Sequence, residues 1–491
     1  MRGTVWTVIG NGVSQAVLLF SHVVCARMMG REGYGEFGAV TSTTATVGLL
    51  AGLGLSLTAT KYISELRISD PVRAKRILVL AERMTLASGL MMALVLGLLS
   101  GYLATAAFAQ PSLIRPLQVS GATVLFTCLY TFQGAVLAAF ERFRESSLLS
   151  AVRAFITLTA MVMGTYFAGV TGAVSGLLAG SALTCLLGKR MLSRCLVAER
   201  MAFPVSDVWR EKSIFWSFSL PSLLGGVLAS GGAWVLNVIL VRTSATFEGM
   251  AVLNASRQWL SALTFLPVAI GAGSIPVLSS VTRRLGDKDA VRAALRVPNL
   301  LVHISVWPVT LALFLLSPEI LRTYGPSYID GLPTFLWMIG GMAVAYTGYG
   351  CSLVVQARGM MWFGFTHQIV YTITSVAAGY FLCQRLGPLG IAMGVAAGSL
   401  ALLVWMLAIL VLRYRFPADI AMKAIRDSIV MLLLVVLLGK YVPQVPDGVR
   451  WLATALMVLA FTWRGSKMPE IREAVANRWI VLRKRAPLLE H

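Results

Sequence analysis

Two arginines, Arg153 and Arg257, stand inside long stretches that otherwise carry no charge. A guanidinium offers five N–H donors in a planar fork that matches phosphate bidentately. Holding it at membrane depth is costly unless water or an anion meets it. The chemistry on offer is therefore recognition of an anion rather than bond-making. Asn254, Arg257, Ser261 and Thr264 share one helical face by their spacing. Arg153 has Thr157 one turn further on. Asn11, Gln15 and His22 fall within about 40° of one another on a helical wheel of ~100° per residue, and Arg27 closes the same stretch. Ser222, Gly226, Ser230 and Asn237 make a looser small-and-polar face. The expected lining of a substrate cavity is Arg257, Arg153, Arg27, Asn254, Ser261, Asn11, Gln15, His22 and Asn237. The small residues of the last group suit close helix packing, and His303 and His367 suit structural roles.

Signatures of covalent chemistry are missing. The chain has no G-x-x-x-x-G-K-[ST], no H-E-x-x-H and no G-x-S-x-G. Its four histidines form no convincing metal cluster, and its six cysteines are scattered without disulfide or zinc spacing. The expectation is a non-enzyme with no catalytic residue, cofactor or metal. No Asp or Glu lies deep within a long uncharged stretch, where a proton or sodium relay would need one. A cavity whose deep charges are arginines suits an anionic cargo.

The elements that must position these residues are membrane helices. Val5 to Ala26, Phe37 to Thr60, Met84 to Ile114 and Pro116 to Phe140 carry no Asp, Glu, Lys or Arg. A helix needs about 20 apolar residues to cross roughly 30 Å of hydrocarbon. Hydrophobic residues are 57% of the chain and charged ones 13%, against about 25% charged in soluble domains. Ser146 to Leu187 is long enough for two spans and breaks at Gly169 to Gly172. Six further stretches begin at Ser213, Gly249, Val297, Gly331, Gly359 and Leu386, making twelve. Ile429 to Val442 and Trp451 to Trp463 are shorter and raise the count to 14, with 12 as the alternative. Beta-barrel strands would be short and alternating, which these segments are not.

Loop charge sets the orientation. Loops on the side of the N-terminus hold 32 Lys and Arg, and those on the opposite side 8. The positive-inside rule then places both termini in the cytoplasm. The net charge of +21 is this loop bias, so it gives no reason to expect nucleic acid. Met468 to Leu482 places Ile471, Val475, Trp479 and Leu482 at helical spacing beside Arg478, Arg483, Lys484 and Arg485. This tail is expected to rest on anionic membrane lipids. The N-terminal apolar run is too long for a cleaved signal peptide.

The chain also reads as duplicated. Glu32-Gly33 recurs as Glu248-Gly249 at 216 positions, Glu141 matches Arg358 at 217, and Gly172 to Gly176 matches Gly390 to Gly394 at 218. Such parallel repeats place substrates near the midplane between halves. The expected units are a six-helix bundle over 1–200, a second over 201–412, a helix pair over 413–465 and a basic tail over 466–491.

Ala26-Arg27-Met28-Met29-Gly30-Arg31-Glu32-Gly33-Tyr34-Gly35, Gly52-Leu53-Gly54-Leu55-Ser56 and Lys61-Tyr62-Ile63-Ser64 resemble the opening of the bacterial polysaccharide flippases. These belong to the multidrug/oligosaccharidyl-lipid/polysaccharide exporter superfamily. Glu248-Gly249, Asn254-Ala255-Ser256-Arg257, Pro267 and Pro276 agree in outline, and the likeness covers about residues 3–412. The resemblance implies an inner-membrane flippase for glycans on undecaprenyl pyrophosphate, working by alternating access between two bundles. It also implies a cationic cavity at Arg27, Arg153 and Arg257, and a polysaccharide polymerase as a further candidate partner. Many members carry an acidic residue in the seventh helix, where this chain has Asn237, which puts cation coupling there in doubt. A small-molecule exporter of the same superfamily would predict carboxylates inside the membrane. A membrane glycan polymerase would need a large outer loop, and the longest here is about 318–331.

Overall fold

The computed structural model describes residues 2–211, 220–244, 246–281, 288–358, 360–414 and 416–467. The basic tail predicted beyond residue 467 and the side chain of Ser222 lie outside the described residues. Described residues are helical almost throughout: α1 (Arg2–Gly52), α2 (Leu55–Leu66), α3 (Pro71–Tyr102), α4 (Ile114–Ala139) and α5 (Phe143–Ala198). They continue as α6 (Leu220–Ser244), α7 (Glu248–Val281), α8 (Lys288–Leu315), α9 (Ser317–Tyr324), α10 (Leu332–Thr347) and α11 (Tyr349–Ala357). The last are α12 (Met361–Leu386), α13 (Pro388–Tyr414), α14 (Ala418–Tyr441) and α15 (Asp447–Lys467). Local rules set many boundaries. Asp70 caps α3 by accepting from the Arg73 N–H at 2.9 Å, with Pro71 at the first position.

Seven described helices are long and apolar enough to cross a membrane, and eight if α8 and α9, bent by 64°, count as one span. Two of the seven, 43 and 56 residues long, each contain a break. A straight helix of 56 residues would run ~84 Å, far beyond the bilayer's ~30 Å. α1 breaks at Gly30, with φ 73, and α5 at Ala168–Gly169. Large apolar side chains such as Leu98, Tyr166, Phe167 and Leu412 face outward, as a lipid rather than a water solvent requires. The six cysteines are free and buried.

Contacts repeat between the two parts of the chain. Gly169 has φ 53, ψ −130, and Gly387, 218 positions on, has φ 54, ψ −130. After the first bend Gly176 packs on Met161 and Gly180 on Thr157. After the second, Gly394 packs on Gly379 and Gly398 on Ser375, each position 218 later. Thr165 donates to the Cys25 sulfur at 3.3 Å. Thr243 bonds Cys383, also 218 on, with the residue types exchanged.

The bend geometry is one that glycine adopts without a Cβ penalty. Gly169→Ala and Gly387→Ala should each destabilise the chain by about 1–3 kcal/mol. Thermal melting of the purified protein in detergent reads this, and an unchanged midpoint would show that the bends do not depend on glycine.

α14 and α15 have 24 and 21 residues, about 36 and 31 Å at 1.5 Å per residue. α14 starts at Ala418, eleven positions before the sequence-based boundary at Ile429, and this brings a buried Asp427 into the helix. The turn between α14 and α15 is fastened by Arg450, only 2% exposed. Its guanidinium pairs with Glu319 at 2.7 Å, with Asp447, and with the Val442 carbonyl at 2.9 Å. Arg73 and Arg76 hold Glu211 of the linker before α6.

Candidate functional site: a central arginine and a clasp

Arg257 lies on α7, eight residues beyond Gly249, about 12 Å along the helix. It donates to Asn237 Oδ1 of α6 at 2.8 Å. Tyr371 of α12 lies within electrostatic reach of the same guanidinium. Asn237 is fully buried, and its Nδ2 has no partner among the described residues. One amide oxygen satisfies one of five guanidinium donors. The arrangement is a half-buried cation beside the polar side chains of Asn237 and Tyr371, with one described hydrogen bond.

The neighbours of Arg257 divide sharply. Asn254 is buried against Gly38 of α1, where an added Cβ would stand 3.1 Å from it. Asn254 Nδ2 also lacks a described partner. Ser261 donates to Gln258 O within its own helix at 2.6 Å, and Thr264 to Ser261 O at 3.2 Å. Trp234 Nε1 donates to Thr43 Oγ1 at 2.9 Å, and Thr46 and Ser230 hydroxyls meet at 3.0 Å. These bonds join α1 to α6 near Arg257. An apolar cavity of ≈540 Å³ begins two residues further along α7 at Trp259, between α8, α9 and α15. Pro308, Leu313, Ile320, Trp451 and Phe461 help to line it.

Other residues from the sequence reading go elsewhere. Arg153 stacks over the Tyr130 ring of α4 at 4.6 Å, and its buried Nε has no described partner. Thr157 packs on Gly180 inside α5. No described contact joins Arg153 to Arg257. His22 Nδ1 bonds Tyr34 OH at 3.2 Å and packs on Phe37, within α1 itself. Asn11 is half-buried and Gln15 exposed on the same helix.

Arg27 is the largest departure from a simple cavity lining. Its Nε donates to Thr323 O at 2.6 Å and its Nη2 to Arg322 O at 3.2 Å, the last carbonyls of α9. Arg242 of α6 donates to Ala107 O at 3.1 Å and to Ala106 O, at the end of the turn after α3. Arg242 follows Arg27 by 215 positions, and the acceptors differ by 216. Glu32 accepts the Phe247 N–H at 2.9 Å at the start of α7, while Glu248 pairs with Arg31 at 3.6 Å. Glu248 follows Glu32, and Phe247 follows Arg31, by 216. Gly38 meets Asn254, again 216 on. Cations at helix C-termini and a carboxylate at an N-terminus complement the helix dipoles. The result is a clasp in which each part of the chain offers the same positions to the other. Gly35 is part of it, because a Cβ there would strike the Phe247 carbonyl.

The sequence reading missed Glu32, Arg31 and Arg242 as partners. Arg27 and Arg242, 215 positions apart, bond acceptors that are themselves 216 positions apart.

Comparison with known proteins places this geometry in a class. The fold is that of flippases and exporters. A solved lipid II flippase MurJ, in an inward closed conformation, superposes with TM-score 0.68 at 15% identity. The match covers 93% of this chain and 98% of that one. An inward-facing multidrug resistance MATE family transporter matches at TM-score 0.65 and 15% identity, over 88% of this chain and 99% of that one. The family described as "Polysaccharide biosynthesis protein" matches residues 1–282, and the chain belongs to that family. The EPS I polysaccharide export inner membrane protein EpsE of Ralstonia solanacearum is 25% identical over 416 residues. The match spans 79% of this chain and 90% of that protein.

Proposed function

We propose that this chain flips an undecaprenyl-pyrophosphate-linked oligosaccharide across the bacterial inner membrane for polysaccharide assembly. The observation that carries this reading is Arg257, a half-buried guanidinium on a membrane helix with one described hydrogen-bond partner, Asn237. A pyrophosphate would bring the acceptors that the remaining donors lack, and the fork favours bidentate pairing. Arg153, held by a ring face and an unpartnered Nε rather than by a carboxylate, is the second phosphate contact. The apolar cavity at Trp259 shares α7 with Arg257, so headgroup and lipid tail can be served from one helix.

The charge bias of the loops puts both termini in the cytoplasm. The clasp then closes the extracytoplasmic end, and the molecule is in its inward-facing half of an alternating-access cycle. The repeated contacts support two six-helix units, 1–200 and 201–412, with α14 and α15 as an added pair. Fourteen spans follow if each kinked helix is two passes. Delivery of glycan to the outer side makes a polysaccharide polymerase the natural recipient.

The test is reconstitution into liposomes with a fluorescent undecaprenyl-pyrophosphate oligosaccharide. Movement between leaflets should exceed that of empty liposomes and require the pyrophosphate. Equal movement with and without protein would reject the proposal.

A further inference from the structure

A run of hydroxyls on α1 follows the clasp. Thr41-Ser42-Thr43-Thr44-Ala45-Thr46 places five hydroxyls in six positions of a stretch that carries no charge. Packing sorts them. Thr43 accepts from Trp234 Nε1 at 2.9 Å and Thr46 meets Ser230 at 3.0 Å, so α6 covers this flank of α1. The opposite flank is held at Gly48, whose carbonyl lies 3.5 Å from the Cys128 sulfur of α4. Between the flanks runs the face that begins at Gly38. Thr41, Ser42, Ala45 and Leu49 continue it at helical spacing.

That face looks toward α7, because Gly38 is buried against Asn254. Beyond this contact the two helices part. On α1, residues 37–40 are buried, Thr41 and Ser42 half-buried, and Ala45 and Leu49 exposed. On α7, residues 250–256 are buried and 257–261 half-buried. Thr41 and Arg257 each stand three residues past the contact, about 4.5 Å along their helices. The same step into the cleft carries a guanidinium on one side and hydroxyls on the other.

Thr41 donates to Phe37 O and Ser42 to Ala39 O, both at 2.9 Å. A carbonyl only accepts, so these hydroxyl protons are spent on the helix and the oxygens remain as acceptors. Two buried amides stand at the closed end. Asn237, fully buried, gives its Oδ1 to Arg257, which leaves Nδ2 without a described partner. Asn254 is 6% exposed, and its Nδ2, also without a described partner, lies 3.2 Å from where a Cβ on Gly38 would stand. Unmet acceptors on one wall and unmet neutral donors on the other suit alcohol groups, each of which both donates and accepts. A carboxylate at Thr41 and Ser42 would meet lone pairs instead.

We propose that Thr41 and Ser42, with the Nδ2 groups of Asn237 and Asn254, form a subsite for a neutral, hydroxyl-rich sugar joined to the pyrophosphate. The subsite rests on the flippase reading and divides the cleft between the helices. α7 holds the phosphate through Arg257, and α1 reads the sugar next to it.

The experiment measures binding to the full chain in lipid nanodiscs. The probes are undecaprenyl pyrophosphate alone, the same lipid carrying one glucose, and the same lipid carrying one glucuronate. The unmodified chain should bind the glucosyl lipid about tenfold more tightly than the bare lipid, the effect of two neutral hydrogen bonds. The glucuronosyl lipid should bind no more tightly than the bare one. The T41V/S42A double variant should lose the glucosyl preference and keep its affinity for the bare lipid, which shows that it is folded. Thr41→Ser should keep the preference. Thr44→Val removes a hydroxyl bonded in the same way, to Val40 O at 2.7 Å, on the α4 flank, and should change nothing. Equal binding of bare and glucosyl lipids by the unmodified chain, an equal gain from glucuronate, or an undiminished preference in the double variant would each overturn the subsite. Binding of none of the three lipids would reject the flippase reading itself, and the subsite with it.

Discussion

Arg257→Ala is expected to abolish surface glycan when it replaces the unmodified chain in a flippase-deficient strain. The substitution removes the donors that face Asn237 and, in the proposed cycle, the pyrophosphate. A hydrogen bond to a charged group contributes about 1.5–3 kcal/mol, so losing a bidentate pair should slow translocation by roughly 100-fold or more. Arg257→Lys keeps the charge but loses the fork, and should leave roughly a tenth of the surface glycan, for a loss near 1.4 kcal/mol. Protein levels, read by immunoblot, should be unchanged. Wild-type glycan with Arg257→Ala would make the residue structural and remove the anion clamp.

The second large effect concerns the clasp. Arg27→Ala and Arg242→Ala each remove capping donors from a helix end in the other part of the chain. At these solvent-exposed positions we assign about 1 kcal/mol each after screening. The double variant should then shift the closed population by about 2 kcal/mol, roughly thirty-fold. The readout is labelling of Ser230→Cys, beside Thr46, by a membrane-impermeant maleimide added to spheroplasts. The native cysteines are buried, and the parent chain gives the background. Labelling should rise modestly in each single variant and most in the double. Gly35→Ala should act in the same direction, because its methyl group meets the Phe247 carbonyl. Labelling indifferent to all of these changes would mean that the clasp does not hold this end closed.

Much of this protein is legible in its sequence. Long uncharged stretches dictate helices in a membrane, because no other local structure satisfies the backbone in hydrocarbon. The breaks at Gly30 and Gly169 follow from glycine and stretch length. Arg257 stands out because an arginine amid apolar residues demands an explanation, and the family likeness of the first two helices holds for residues 1–282. Glycine bends at Gly169 and Gly387, and the glycine contacts that follow them, recur at a spacing of 218.

What the tertiary structure alone decided is who meets whom. Spacing puts Asn254, Arg257 and Ser261 on one face, yet packing sends Asn254 to Gly38 and leaves Ser261 on its own helix. Asn237, a loose member of another face, supplies the actual partner of Arg257. Arg27 looked like cavity lining because its helix carries a polar stripe. It caps α9, nearly 300 residues away in sequence, and no local rule connects them. Asp427 escaped notice because Lys423 and Arg426 before it read as loop, whereas α10 and α8 extend the helix past them. Helix formation in lipid is a local decision, forced residue by residue by the solvent. The choice of partners across helices is a long-range one, settled by shape and by which buried polar groups find each other.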